Sequence, residues 1–319
     1  MAALGRDFHV VHQLLFAHFE ALLPSMNNYE LIVRYAQVQR QPYAQLRAFF
    51  GRQDWRTWYS TLPQKLVDAA TNAQFTTVKR LFHIGVRPAH IAAQNGIPLF
   101  HYLCSCNRVE MVKLFVTKGH ALDNMSPEQK LQQVISSVRR NHLQMVNFLV
   151  RGCNICVRDP GRSGETALVI AVCFGYVQMA HLLLPHSAQI DQLYGGKTLL
   201  HICIGAASDL QKRCDMMRML LQSHANPQVV DRQGEGPLQL AVRYKSEDMV
   251  KTLLEGGAAI NHVNIDGETA LHVAVNHGFV EMSRLLRKAG AAADVVNLNG
   301  ETARALAEKW GHHTILEFL

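Results

Sequence analysis

Long apolar runs are missing from this 319-residue chain. Nothing approaches the roughly 20 residues that a membrane-spanning helix needs, so no transmembrane segment is expected. The first ten residues carry Arg6, Asp7 and His9 where a secretory leader would place an apolar core. Export is then expected only by a specialised machine that reads other cues. A glycine-rich phosphate loop, an HExxH pair and a GxSxG elbow are also missing, and with them the usual signs of nucleotide, metalloprotease or esterase chemistry. A side-chain nucleophile needs a base within hydrogen-bond reach. Cys173 or Cys106 with one of the 17 histidines, or His9 and His12 with Glu20, come with no supporting motif. The chain is therefore read as no enzyme and as using no cofactor, with an unrecognised N-terminal site as an alternative. Paired cysteines are lacking too: seven is an odd number, which predicts reduced thiols and a cytoplasmic setting.

What the chain has is a repeat. Gly267-Glu268-Thr269-Ala270-Leu271-His272 returns, more or less degraded, at Gly164-Glu165-Thr166-Ala167-Leu168, Gly196-Lys197-Thr198-Leu199-Leu200-His201, Gly234-Glu235-Gly236-Pro237-Leu238-Gln239 and Gly300-Glu301-Thr302-Ala303-Arg304. With Thr269 as anchor, the equivalent positions are Lys65, Pro98, Gln132, Thr166, Thr198, Gly236, Thr269 and Thr302, spaced by 33, 34, 34, 32, 38, 33 and 33 residues. A second amphipathic segment follows each anchor, as in Val109–Phe115, Leu143–Leu149 and Val280–Leu286, and ends near a glycine such as Gly119, Gly152, Gly257 or Gly290. Repeats of this length stack into solenoids, which usually bind rather than react.

This pattern resembles the ankyrin repeat: turn, Thr-Pro-Leu-His helix, short turn, second helix, glycine stop. The resemblance covers about residues 64–319 and implies an all-α ankyrin-repeat solenoid of about eight helix-turn-helix units. The first, third and last units lack the Thr-Pro-Leu-His half and read as divergent or capping repeats. His101, His201 and His272 match the family's motif histidine, which the resemblance implies bonds neighbouring backbone. Cys104-Ser105-Cys106 and Cys153-Asn154-Ile155-Cys156 have the look of metal half-sites, but they fall in different units and different parts of the unit. No metal is expected there; Cys104 sits at a core-like position. His312-His313 reads as an exposed helix end.

The resemblance also implies that turn residues just before each anchor, and residues seven and eight after it, line a concave groove where partners bind. Those positions hold Arg139, Arg140, Arg162, Cys173, Phe174, Tyr194, Lys197, Arg232, Arg243, Tyr244, Asp266, Asn276, His277, Lys309 and Trp310. Arg beside Tyr, Phe and Trp suits a protein partner, in particular an acidic or extended peptide segment. Residues 63–160 hold twelve Lys/Arg against five Asp/Glu, whereas residues 161–319 hold fourteen against sixteen, so the basic surplus lies in the first three units. The basic residues are scattered and no nucleic-acid motif accompanies them, so nucleic acid is disfavoured as the partner. The 38-residue step places about five extra residues at Ser208–Arg213, as a surface loop or a longer first helix.

Residues 1–62 stand outside the repeat and read as several helices, with Tyr43, Phe49, Phe50, Trp55, Trp58 and Tyr59 available to cap the first unit. A second reading of the same segment is a small interaction module. Leu23-Pro24, Leu31-Ile32, Tyr35, Leu46 and Trp55 look loosely like an F-box, which would make the chain a ubiquitin-ligase substrate adaptor. The expected role is a protein-interaction scaffold or adaptor in the cytoplasm, or in the host cytosol if the chain is a bacterial effector.

Overall fold

The structure, a computed structural model, describes residues 64–83, 91, 98–118, 121–123, 125–161, 164–187 and 190–319. The chain divides by compactness into residues 1–133 and 134–319. The boundary expected near residue 62, and the F-box-like residues before it, lie outside the described residues.

In the first part, a helix over residues 64–71 (α1) pairs with Phe75–His83 (α2), and Leu99–Ser105 (α3) pairs with Val109–Thr117 (α4). Phe82 and Phe115 meet edge to face at 5.0 Å. Cys104 is fully buried beside Leu99, Leu103 and Phe100, as its core-like position predicts. Helix α5 (Pro127–Arg139) spans the division.

The second part continues through α6 (Leu143–Asn147), which widens into a π turn at Phe148–Gly152. Five helix pairs follow: α7 (Ala167–Cys173) with α8 (Val177–Leu183), α9 (Leu199–Gly205) with α10 (Leu210–Gln222), α11 (Pro237–Arg243) with α12 (Glu247–Glu255), α13 (Ala270–Asn276) with α14 (Val280–Lys288), and α15 (Ala303–Lys309) with α16 (His313–Leu316). Isolated β bridges pair Tyr194 with Lys197 and Val296 with Thr302. The architecture is an all-α helical repeat.

Seven-residue helices are too short to persist alone, so packing must hold them. Helices α7 and α13 bury every residue from Ala167 to Val172 and from Ala270 to Val275, enclosed on all sides. The second helices are one-sided. Helix α14 buries Met282, Ser283 and Leu286 and turns Glu281, Arg284 and Lys288 outward. Thr166, Thr198, Thr269 and Thr302 start their helices in extended conformation, each hydroxyl accepting a backbone N–H three residues on.

Two local expectations change. Gln132 lies inside α5, which begins at Pro127. Ser126 and Gln129 cap it reciprocally, the Ser126 hydroxyl accepting from the Gln129 N–H at 3.1 Å and the Gln129 amide oxygen accepting from the Ser126 N–H at 2.9 Å. The additional residues after Gly205 form neither a loop nor a longer first helix. Helix α9 keeps seven residues, and the extra length goes into α10, which has thirteen and is capped by Asp209 accepting from the Lys212 N–H at 2.8 Å.

Candidate functional site

Between successive helix pairs the chain runs out and back as a tight finger. Asp231, Asn264 and Asn297 organise three of these turns from buried positions. The Asp231 carboxylate accepts from the N–H groups of Gln233 and Glu235 at 2.8 and 3.0 Å. The amide oxygens of Asn264 and Asn297 repeat this with Asp266 and Glu268, and with Asn299 and Glu301. Gly267 turns the finger at φ 72°, and a Cβ there would lie 3.0 Å from the Leu298 backbone nitrogen of the next finger.

Buried polar side chains then fasten each finger to the unit before it. The His201 Nε2–H donates to the Glu235 carbonyl at 2.9 Å while Nδ1 meets the Thr198 hydroxyl at 2.7 Å. His272 Nε2 faces the Glu301 carbonyl at 3.3 Å, and its Nδ1 accepts from the Thr269 N–H at 3.2 Å. A carbonyl can only accept, so both imidazoles carry a proton on Nε2, and the Thr269 N–H donating to Nδ1 makes His272 neutral. Burial holds both below the usual histidine range. Gln239 does the same work between them: its Nε2 donates to the Glu268 carbonyl at 2.6 Å, and its oxygen accepts from the Gly236 N–H at 2.8 Å. The expected backbone-bonding role therefore holds for His201 and His272. His101 differs, with Nδ1 2.8 Å from the side-chain oxygen of Gln133.

The same fingers carry a row of polar pairs on their outer side. In three units the glutamate before the anchor bonds the residue seven after it: Glu235 with Arg243 at 2.5 Å, Glu268 with Asn276 at 2.8 Å, and Glu301 with Lys309 at 2.6 Å. Glu165 instead accepts from Arg139 of the preceding unit at 3.0 Å. The Glu235 hydrogen bond raises the Arg243 guanidinium further above its already high range, and the Lys309 bond lowers the Glu301 carboxyl. These pairs tie the fingers to the ends of the first helices and set which cations remain for a partner.

The sequence-predicted positions separate accordingly. Arg139, Arg243 and Lys309 are held by the chain's own carboxylates. Arg140, Lys197 and Arg232 are exposed without a paired carboxylate among the described residues. Arg162 lies outside the described residues. Eight residues after their anchors, Phe174, Tyr244 and Trp310 are 50, 52 and 56% exposed. His277 is exposed at the same register and stacks on Phe279, as Phe174 stacks on Tyr176. Trp310 Nε1–H donates to Asn276 at 3.3 Å. Tyr194 and Cys173 are half-buried, and burial pushes both the phenol and the thiol up. Asp266 is exposed at a finger.

Sequence reasoning missed the fingertip aliphatics. Ile265 and Leu298 stand four residues before their anchors and are 62 and 77% exposed, with Val263 and Val296 two residues earlier also exposed. The register that gave Arg232 names them, but apolar residues read as core by default. Among the described residues, no three His, Cys, Asp or Glu side chains group as a metal site would require, and no helix is long and apolar enough to cross a membrane.

Comparison with known proteins places this geometry. A family model described as ankyrin repeats matches three stretches, residues 66–159, 134–231 and 238–319. Among solved structures, the fold is similar to the crystal structure of the ankyrin repeat domain of Bcl-3, a unique member of the IkappaB protein family. The TM-score is 0.58 and identity 24%, over 69% of this chain and 96% of that one. No curated protein matches. With repeat models matched across most of residues 66–319 and the helix pairs shared with a solved ankyrin domain, this chain belongs to the ankyrin-repeat family.

Proposed function

We propose that residues 134–319 form a protein-interaction module that holds an extended, partly acidic segment of a partner along the fingers and first-helix ends. One observation carries the reading. Phe174, Tyr244 and Trp310 recur at one register and stay half-exposed in a part whose other large side chains are mostly buried. Solvated aromatics in a line offer large apolar area with polar tips, the side-chain type that dominates interface energy. Ile265 and Leu298 extend the apolar contact onto the fingers. Arg140, Lys197 and Arg232 supply positive charge that no glutamate among the described residues takes up. The fingers are held by buried hydrogen bonds, so little ordering is required on binding.

The test is calorimetry with a partner recovered by affinity capture, comparing wild type with Tyr244→Ala and Trp310→Ala. Each substitution is expected to weaken binding by roughly 2 kcal/mol, about thirtyfold, with the melting temperature unchanged because neither side chain is in the core. Unchanged affinity in both variants overturns the reading.

A further inference from the structure

The row of polar pairs is interrupted at one unit. Where its neighbours place Glu235, Glu268 and Glu301, the unit built on Thr198 has Lys197, and where they place Arg243, Asn276 and Lys309 it has Gly205. Both members of the pair have changed. A lysine holds the glutamate register, and a glycine holds the register of its partner.

The surroundings decide what this interruption accepts. The carboxylates on either side are committed, Glu165 to Arg139 and Glu235 to Arg243. Neither is available to Lys197. The Tyr244 hydroxyl reaches over Gly205: a Cβ added there would sit 3.3 Å from it. That hydroxyl makes no hydrogen bond to the described residues. Arg232 lies flat across Gly196, where an added Cβ would meet its Cγ, Cδ and Nε at 2.5–2.6 Å. Gly196 thus lets the guanidinium stem settle beside Lys197. Arg232 therefore lies against the residue next to Lys197, and the Tyr244 phenol lies over Gly205, in the unit from which the usual glutamate is missing; Phe174 lies exposed one unit before it.

We propose that an aspartate or glutamate side chain of the partner docks at this interruption. Its carboxylate takes the role that the chain's own glutamates play in neighbouring units, accepting from Lys197 Nζ and the Tyr244 hydroxyl with Arg232 alongside. The inference rests on the partner-binding reading above and names the residue that the partner contributes. The neighbouring pairs set the scale: an oxygen acceptor at hydrogen-bond distance from one donor across a finger, which a carboxylate fills. The remainder of the segment lies against the aromatic column, so the acidic residue fixes register and the apolar contacts supply area.

Selection of a random 12-residue peptide phage library on the full 319-residue chain tests this. Peptides whose binding depends on Tyr244 and Trp310 are expected to share an acidic residue at one position. Changing that residue to Gln should weaken binding roughly tenfold or more in wild type, the range of a charge-assisted hydrogen bond, and have little effect in Lys197→Gln. Lys197→Glu restores the residue type of the neighbouring units, so it should fold as wild type by thermal melting and lose the acidic peptides. If face-dependent peptides show no fixed acid, or bind Lys197→Gln and Lys197→Glu as well as wild type, the docking of a carboxylate here is wrong while the binding face stands. If no recovered peptide depends on Tyr244 or Trp310, the face itself is wrong and the inference falls with it.

Discussion

Replacing His272 by alanine and by glutamine separates its size, its hydrogen bonds and its charge. The imidazole is fully buried, links the Thr269 N–H to the Glu301 carbonyl, and is held neutral by burial. Alanine leaves the Thr269 N–H without its acceptor and opens a cavity. The Glu301 carbonyl keeps the Asn297 N–H at 3.0 Å, so one polar group rather than two is orphaned. The expected loss is about 3 kcal/mol, a fall in melting temperature of roughly 6–12 °C for a part of this size. Glutamine should cost under about 1 kcal/mol, because Gln239 makes both equivalent bonds in the neighbouring unit. The pH dependence follows from the depressed histidine. Above the ordinary value near 6.5 both folded and unfolded chains carry it neutral, and nothing is lost. Below that value the unfolded chain takes up a proton that the folded chain resists, so stability falls as pH drops through 6.5 toward the folded value. Between about pH 7.5 and 5.5 the loss is at most about 1.4 kcal/mol for this residue. Urea melts at the two pH values read it directly. The His272→Gln variant should lose that much less than wild type over the interval, with His201 still contributing. Equal pH dependence in both proteins would refute the neutral, carbonyl-bonded assignment.

Two further outcomes follow from the described geometry. Gly267→Ala should destabilise by about 2 kcal/mol or more, since it combines a left-handed backbone with contact on the next finger's main chain. Gly300→Ala has φ 73° but open space around it and should lose only about 1 kcal/mol, a contrast that denaturant melts resolve. Under native iodoacetamide labelling near pH 8, exposed Cys106 and Cys156 should react first; Cys203, buried and pushed up to about 12, should stay unmodified until the chain unfolds, as peptide mass spectrometry would show.

The repeat register was legible because it depends on local chemistry. A threonine cap, a glycine turn and a run of small apolar residues act within a few positions, so Thr166, Thr198, Thr269 and Thr302 mark helix starts without any knowledge of packing. Gln132 misled because the helix there starts at a different cap, Ser126, six residues before that position. The binding face was legible as a set of positions but not as a set of available charges. Arg243 and Lys309 look like free cations until the finger folds back and sets Glu235 and Glu301 beside them. Such pairing across eight residues depends on tertiary geometry. Ile265 and Leu298 were hidden for the opposite reason: their exposure is decided by where the finger ends, while their composition suggests a core.

The stitch from His201, Gln239 and His272 lands on a main-chain carbonyl, and a carbonyl is the same whatever side chain its residue bears. Cohesion and recognition therefore meet at one residue per unit without constraining each other. Glu235, Glu268 and Glu301 supply oxygen to the interior through the backbone and carboxylate to the surface through the side chain. Surface identity at these sites is free to drift or be re-engineered while the main-chain stitch stays in place. The ankyrin frame here is a carrier whose lettering can be rewritten one finger at a time.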